Sequence, residues 1–226
     1  PGNVYVTAAK LAVNKDVAID LPAGPSEVLI IADASAIPSF IASDLLAQAE
    51  HDLNAWAILF TNSKKLALAV KTELSKQLRS LSRREIIRSS LEKNGFLVIF
   101  EDLEEAITLS NLIAPEHLAI QTKDPESYLE KIKNAGAIFL GANAPVAFGD
   151  YSAGLNHVLP TAGFARVYSG LSTIDFYKTI NFIQCTKAGF HKLRETTVTI
   201  AKMEGLDGHA NSVLVREHEV RDDESY

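Results

Sequence analysis

The sequence has a single cysteine, Cys185, so no disulfide can form within the chain, and a reducing compartment, the cytoplasm, is the expectation. It has no long basic run. Its 22 Lys and Arg are scattered, with one modest group from Arg79 to Arg88, and its 28 Asp and Glu leave a net charge of -6. Phosphate binding needs clustered cations, so nucleic acid is not the expected main partner. No apolar stretch approaches the roughly 20 residues of a membrane span, so no membrane partner is expected either. The first residues do not have the pattern of a signal peptide. The glycine-rich dinucleotide fingerprint is missing as well. Methionine is almost missing: the chain opens on Pro1 and its one Met is Met203, which leads to the expectation of a fragment, a processed chain or a trimmed sequence.

What is present suffices for a globular protein. At 226 residues and 47% apolar content, the chain can bury a real core in one large or two small domains. Val28-Leu29-Ile30-Ile31-Ala32 is a continuous apolar run, as expected of a strand covered on both faces. Pro38 then opens a helix to about Glu50, with Phe40, Ile41, Leu45 and Ala49 at helical spacing. The alternation continues. Strands are expected at 55–60, 96–100, 118–120 and 137–140, and helices at 3–13, 64–81, 83–93 and 103–112 and from Asp124. Val17-Ala18-Ile19 reads as one further short strand. Such alternation implies parallel sheets with covering helices. After Thr161 the pattern turns helical, with segments at 172–177, 187–203 and beyond Gly205, and a short strand expected at 182–186.

Four polar clusters interrupt this framework. The densest is Gly149-Asp150-Tyr151-Ser152-Ala153-Gly154-Leu155-Asn156-His157-Val158-Leu159-Pro160-Thr161. Read as a loop, it offers Asp150 and His157 for metal binding or proton transfer; the plainer alternative is a surface turn. Gln48-Ala49-Glu50-His51-Asp52 stands at a helix end, where Gln48 and His51, three apart, share a face. Without further context Glu50, His51 and Asp52 look like metal ligands, against a polar helix end whose dipole favours His51. Ala114-Pro115-Glu116-His117-Leu118 places an acid–base pair between a helix and a strand, although such dipeptides are common. Glu204-Gly205-Leu206-Asp207-Gly208-His209 lies in the C-terminal helices and is weak alone. The donors are N and O with no thiolate, which suits zinc or manganese with an open substrate position. In an α/β fold such clusters are expected to gather at the carboxyl ends of the strands.

The order of these motifs resembles histidinol dehydrogenases. Pro1-Gly2-Asn3-Val4-Tyr5-Val6, Ala23-Gly24-Pro25-Ser26-Glu27-Val28, the Gln48 to Asp52 and Ala114 to Leu118 runs, Gly149-Asp150-Tyr151, Asn156 to Thr161, Ser169 to Ser172, Asp175-Phe176 and Glu204-Gly205-Leu206 all fall in family order, from Pro1 to about Arg216. Leu155 and Phe164 depart from the usual pattern without removing a ligand. The family carries a long segment ahead of the Pro-Gly-Asn motif that is not in this sequence. The resemblance implies zinc-dependent oxidation of L-histidinol to L-histidine through L-histidinal, with two NAD used in succession. It implies zinc ligands Gln48, His51, Asp150 and His209, an acid–base pair Glu116 and His117, and substrate contacts at Ser26, Gln48, His51, His117, Asp150, His157, Glu204 and His209. Asn3 matches a position that touches NAD. The family is homodimeric, with His209 reaching the partner's zinc.

The expected fold is α/β, made of incomplete Rossmann-like parallel sheets with a helical C-terminal tail, truncated. The expected organisation is 1–27 as the end of a second Rossmann-like domain, 28–112 as the first, 113–171 returning to the second with the active-site loop, and 172–226 as a dimerising tail. The alternatives are a catalytically inactive remnant that keeps the metal site or serves as an interaction module, and a zinc hydrolase with Glu116 as base.

Overall fold

The computed structural model describes residues 4–222. The chain falls into two compact units, Pro1–Phe176 and Tyr177–Tyr226. The first holds α1 (Val4–Val13), β1 (Glu27–Ala32), α2 (Pro38–Ala49), β2 (Trp56–Thr61), α3 (Lys64–Gln77), α4 (Arg84–Asn94), β3 (Gly95–Ile99), α5 (Leu103–Ile113), β4 (His117–Gln121), β5 (Ala137–Leu140) and α6 (Val146–Tyr151). All strand pairings are parallel, in the order β3-β2-β1-β4-β5.

Burial explains this order. β1 is the central strand, and all six of its residues are buried. Side chains alternate across a strand, so β1 feeds two cores. Val28, Ile30 and Ala32 pack with Ile41 and Leu45 of α2 and with Leu66 and Val70 of α3. Leu29 and Ile31 pack on the other face with Ile58, Phe60 and the α5 residues Leu103 and Ile107. Because β1 and β2 run parallel, α2 must carry the chain back, which brings its last turn to the edge where the strands begin. α5 closes on Ala114, which takes a left-handed φ of 56° so that its N–H reaches the Ser110 carbonyl. That tight stop delivers the chain directly into Glu116 and β4.

The expected parallel α/β fold is present, with several differences. Among the described residues the five strands form one sheet, in which Val28 of β1 lies opposite His117 of β4. Val17-Ala18-Ile19 forms no strand; Val17 is 57% exposed, and so short an apolar group finds no partner strand. The segment after Asp124 makes only a 3₁₀ turn, Glu126–Lys131, and Thr173–Phe176 does likewise. Residues 182–186 form no strand. Gly149 and Asp150 belong to the short helix α6 rather than to a loop.

The second unit is a helical pair, α7 (Lys187–Met203) and α8 (Asp207–Asp222). Thr186 caps α7 by accepting the Gly189 N–H at 3.1 Å. Gly205, at a φ of 73°, turns the chain between the helices, and Leu206 N–H returns to the Ala201 carbonyl at 2.8 Å. Arg194 and Glu217 form an ion pair across the two helices. Among the described residues no helix is long and apolar enough to cross a membrane.

Candidate functional site

The site is built on the first residues of β1 and β4. In parallel register Val28 faces His117, so the residues just before them, Glu27 and Glu116, are also brought together. The Glu27 N–H donates to Glu116 Oε2 at 2.8 Å, and the Ser26 hydroxyl donates to the same oxygen at 2.5 Å. His117 Nδ1 lies 3.1 Å from the Glu27 carbonyl. A carbonyl can only accept, so Nδ1 carries the proton, and in the neutral ring Nε2 is left as the acceptor. Nε2 stands 3.8 Å from Asp150 Oδ1, and that same oxygen accepts from His157 Nδ1–H at 2.9 Å. β5 enters close behind: a Cβ on Gly136 would stand 2.6 Å from the Glu116 carbonyl oxygen. Glycine is therefore required there for β5 to approach Glu116.

Burial sets the proton affinities. Burial pushes the Glu116 carboxyl up to about 8, opposed by the Ser26 and Glu27 donors and reinforced by the charges of Glu27 and Asp150. Glu27 is pushed up to about 7, again by burial, against hydrogen bonds from the backbone of Ala162 and Glu116. Burial lowers His117 below the usual histidine range, although Asp150 and the Glu27 carbonyl favour its charged form. A neutral His117 beside a carboxyl poised near neutrality is an arrangement suited to moving protons.

A raised carboxyl has a consequence for stability. Below its ordinary value of 4.5, Glu116 is protonated whether the protein is folded or not; between there and about 8 only the unfolded chain gives up the proton, so its contribution is lost as pH rises. Glu116→Gln is therefore expected to raise the melting temperature, relative to the unchanged protein, more at pH 8 than at pH 5. An identical difference at the two pH values would show that burial does not hold the proton on Glu116.

A cleft of about 450 Å³ adjoins these residues, lined by Asp44, Gln48, Glu50, His51, Asp150 and Tyr151, among others. Gln48 comes from the last turn of α2, His51 from two residues past its end, and Asp150 from α6. Three of the four residues expected to hold zinc thus line one cleft. Among the described residues, no three His, Cys, Asp or Glu side chains are grouped closely enough to hold a metal ion. The donor set nevertheless suits one. Gln48 is 2% exposed, and its Nε2 has no hydrogen-bond partner. A buried donor left unsatisfied is costly; with the amide turned end for end, its oxygen would stand in that place as an acceptor for a cation in the cleft. His51 and Asp150 add the N and O donors that zinc accepts.

The remaining expected residues divide. Ser26 and His157 reach this site through Glu116 and Asp150. Glu204 and His209 lie in the second unit, at the end of α7 and in the first turn of α8, and both are exposed. Asn3 lies outside the described residues. One expectation is overturned: the acid–base pair does not sit where strands end but where β1 and β4 begin. The reason is α2, whose return to that edge carries Gln48 and His51 there. Two buried residues were not marked in the sequence. Glu27 joins the pair through its backbone, and Asp44 lines the cleft, held by Gln121 Nε2 at 3.1 Å, with burial pushing it up to about 6. Asp44 stands one helical turn before Gln48, a spacing that marks a shared face.

Comparison with known proteins points one way. The family model for histidinol dehydrogenase matches residues 1–217. The histidinol dehydrogenase of Methanothermobacter thermautotrophicus is 53% identical over 212 residues, which cover 94% of this chain and 50% of that protein. That of Listeria monocytogenes serovar 1/2a is 50% identical over 216 residues, covering 96% of this chain and 51% of that protein. The crystal structure of histidinol dehydrogenase from Elizabethkingia anophelis superposes with a TM-score of 0.91 at 43% identity, covering 98% of this chain and 51% of that one. The chain spans about half the length of the curated relatives it matches.

Proposed function

Because the chain belongs to the histidinol dehydrogenase family, we propose that it supplies the proton-transfer and zinc-binding residues of an enzyme that oxidises L-histidinol to L-histidine through L-histidinal. The observation that carries this reading is the buried Glu116–His117 pair opening toward Asp150 at the cleft of Gln48 and His51. His117 accepts the hydroxyl proton at Nε2 as the carbinol carbon gives its hydride to NAD, leaving the aldehyde. Glu116, ionised, takes a proton from the water that adds to the aldehyde carbon, giving the hydrate. A second hydride then leaves to a second NAD, and the carboxylate forms. Each histidinol thus consumes one water and reduces two NAD, with three protons released. Ser26 and Glu27 hold Glu116, and Asp150 holds His157 toward the substrate.

Gln48, His51 and Asp150 would hold the zinc, joined by His209 of the partner subunit in a homodimer. Bound there, zinc would supply a Lewis-acid grip on the substrate's imidazole and amine, which fixes the carbinol carbon for hydride transfer. Glu204 is assigned to the substrate pocket and Asn3 to NAD. Exposed apolar side chains in the second unit, among them Ile180, Phe182 and Ile183, support a tail that is covered by a partner. Residues 1–27 belong, in this reading, to a second Rossmann-like domain, and most NAD contacts come from outside the chain. A cytoplasmic location follows from the same reading.

The test is NADH formation by a family-length enzyme carrying this chain, with zinc, NAD and histidinol. Two NADH per histidinol are expected, and none from the 226-residue chain alone. A family-length enzyme that binds zinc and forms no NADH would make the chain an inactive remnant and overturn the proposal.

A further inference from the structure

Glu27 is a buried carboxylate that the chemistry above uses only through its backbone. It is 8% exposed, and its side chain crosses to the segment that follows His157. Oε1 accepts the Ala162 N–H at 2.8 Å. Ala162 has a left-handed φ of 53°, a conformation that a non-glycine residue keeps only where its surroundings hold it. Beside it, the Thr161 hydroxyl oxygen accepts the Gly24 N–H at 2.6 Å. The turn before β1 is therefore clipped twice to residues 161 and 162. The Glu116 backbone N–H also faces the Glu27 carboxylate and favours its charged form, while the Glu27 N–H donates to Glu116 Oε2 at 2.8 Å. The two glutamates are thus set against each other: the Glu116 carboxylate is held by the Glu27 N–H, and the Glu27 carboxylate, held by the Ala162 N–H, lies against the Glu116 backbone. His117 is different, because it is held by the Glu27 carbonyl, which any substitution of the side chain retains.

We propose that the Glu27 side chain is a positioning residue for Glu116: it fixes the backbone from which Glu116 reaches its water and pins Ala162 against it, while leaving His117 to be held by the backbone alone. The inference rests on the proposed division of labour between His117 and Glu116. Acting through Glu116, Glu27 serves the aldehyde step and not the alcohol step.

The experiment uses the family-length enzyme with zinc, saturating histidinol and NAD, and rapid mixing. Glu27→Gln keeps the size of the side chain but replaces one acceptor oxygen by a donor. It is expected to release the first NADH per site at the rate of the unchanged enzyme, and then to continue roughly ten- to a hundredfold more slowly, the cost of a misplaced reacting group. Oxidation of added histidinal should be slowed by the same factor. A residue that merely supports the fold would slow both phases together. Equal slowing of both phases, or of neither, in an enzyme whose melting shows it folded overturns the inference. Glu27→Asp, which keeps the charge and withdraws the oxygens by one methylene, is the second variant should the first not fold, and the same split is expected of it. If the unchanged enzyme forms no NADH from histidinol, the functional reading itself has failed; if it does and the variants show no split, the role of Glu27 alone has failed.

Discussion

His117→Asn is expected to slow the oxidation of histidinol about 10²–10⁴-fold, and Glu116→Gln to slow the oxidation of histidinal by a similar factor. The two substitutions are chosen to keep the geometry. An asparagine amide can still donate to the Glu27 carbonyl, as Nδ1–H does at 3.1 Å, but offers no basic nitrogen in place of Nε2. A glutamine at 116 can still accept from Ser26 and from the Glu27 N–H through its oxygen, but cannot take a proton from water. Supplying histidinal directly separates the steps. Glu116→Gln should then stay slow, while His117→Asn should recover part of its rate. If Glu116→Gln oxidised histidinal at the rate of the unchanged enzyme, the water-activating role would be wrong.

Loss of His51 is expected to lower zinc affinity about a hundredfold or more, since one of four ligands carries several kcal/mol of a structural binding energy of roughly 10–16 kcal/mol. His51→Ala is the cleanest probe of the proposed zinc site. Its side chain is exposed at the end of α2, outside the core clusters, so its removal leaves the fold intact. Asp150 is a less clean probe, because His157 depends on it for a hydrogen bond at 2.9 Å and would be released as well. The measurement is competition for zinc with a chromogenic chelator, with melting temperature recorded alongside. Equal zinc affinity in the variant and the unchanged protein would remove His51 from the ligand set.

The sequence was most legible where local chemistry and tertiary environment agree. Val28 to Ala32 is uniformly apolar because it becomes the central strand, with parallel neighbours on both sides and helices on both faces. Ala137 to Leu140 and Lys187 to Met203 read as a strand and a helix from their patterns alone and are found with those bounds. It was least legible where a short apolar group depends on partners elsewhere. Val17-Ala18-Ile19 has the composition of a strand and no neighbour to pair with. The helix expected after Asp124 is only a 3₁₀ turn between β4 and β5. The site behaved similarly. Gln48 and His51 could be matched through their shared helix face and Glu116 through its dipeptide, whereas no local pattern singled out Glu27.

By itself the sequence determined the alternation of strands and helices, the apolar run that must be central, the residues able to carry acid–base and metal chemistry, and, through the order of its motifs, the family. Those properties are written locally, in periodicity, turn formers and side-chain chemistry. Only the tertiary structure decided that the chemistry gathers where the strands begin, that one sheet holds β1 and β4 side by side, and that the Glu27 N–H holds the Glu116 carboxylate. These depend on the register of β1 against β4, which sets Val28 opposite His117. A parallel register is fixed by burying both faces of both strands at once, across the 89 positions that separate Glu27 and Glu116 in the sequence. No local pattern carries that information, because a shift of one residue would leave every local pattern unchanged and turn each buried side chain to the other face.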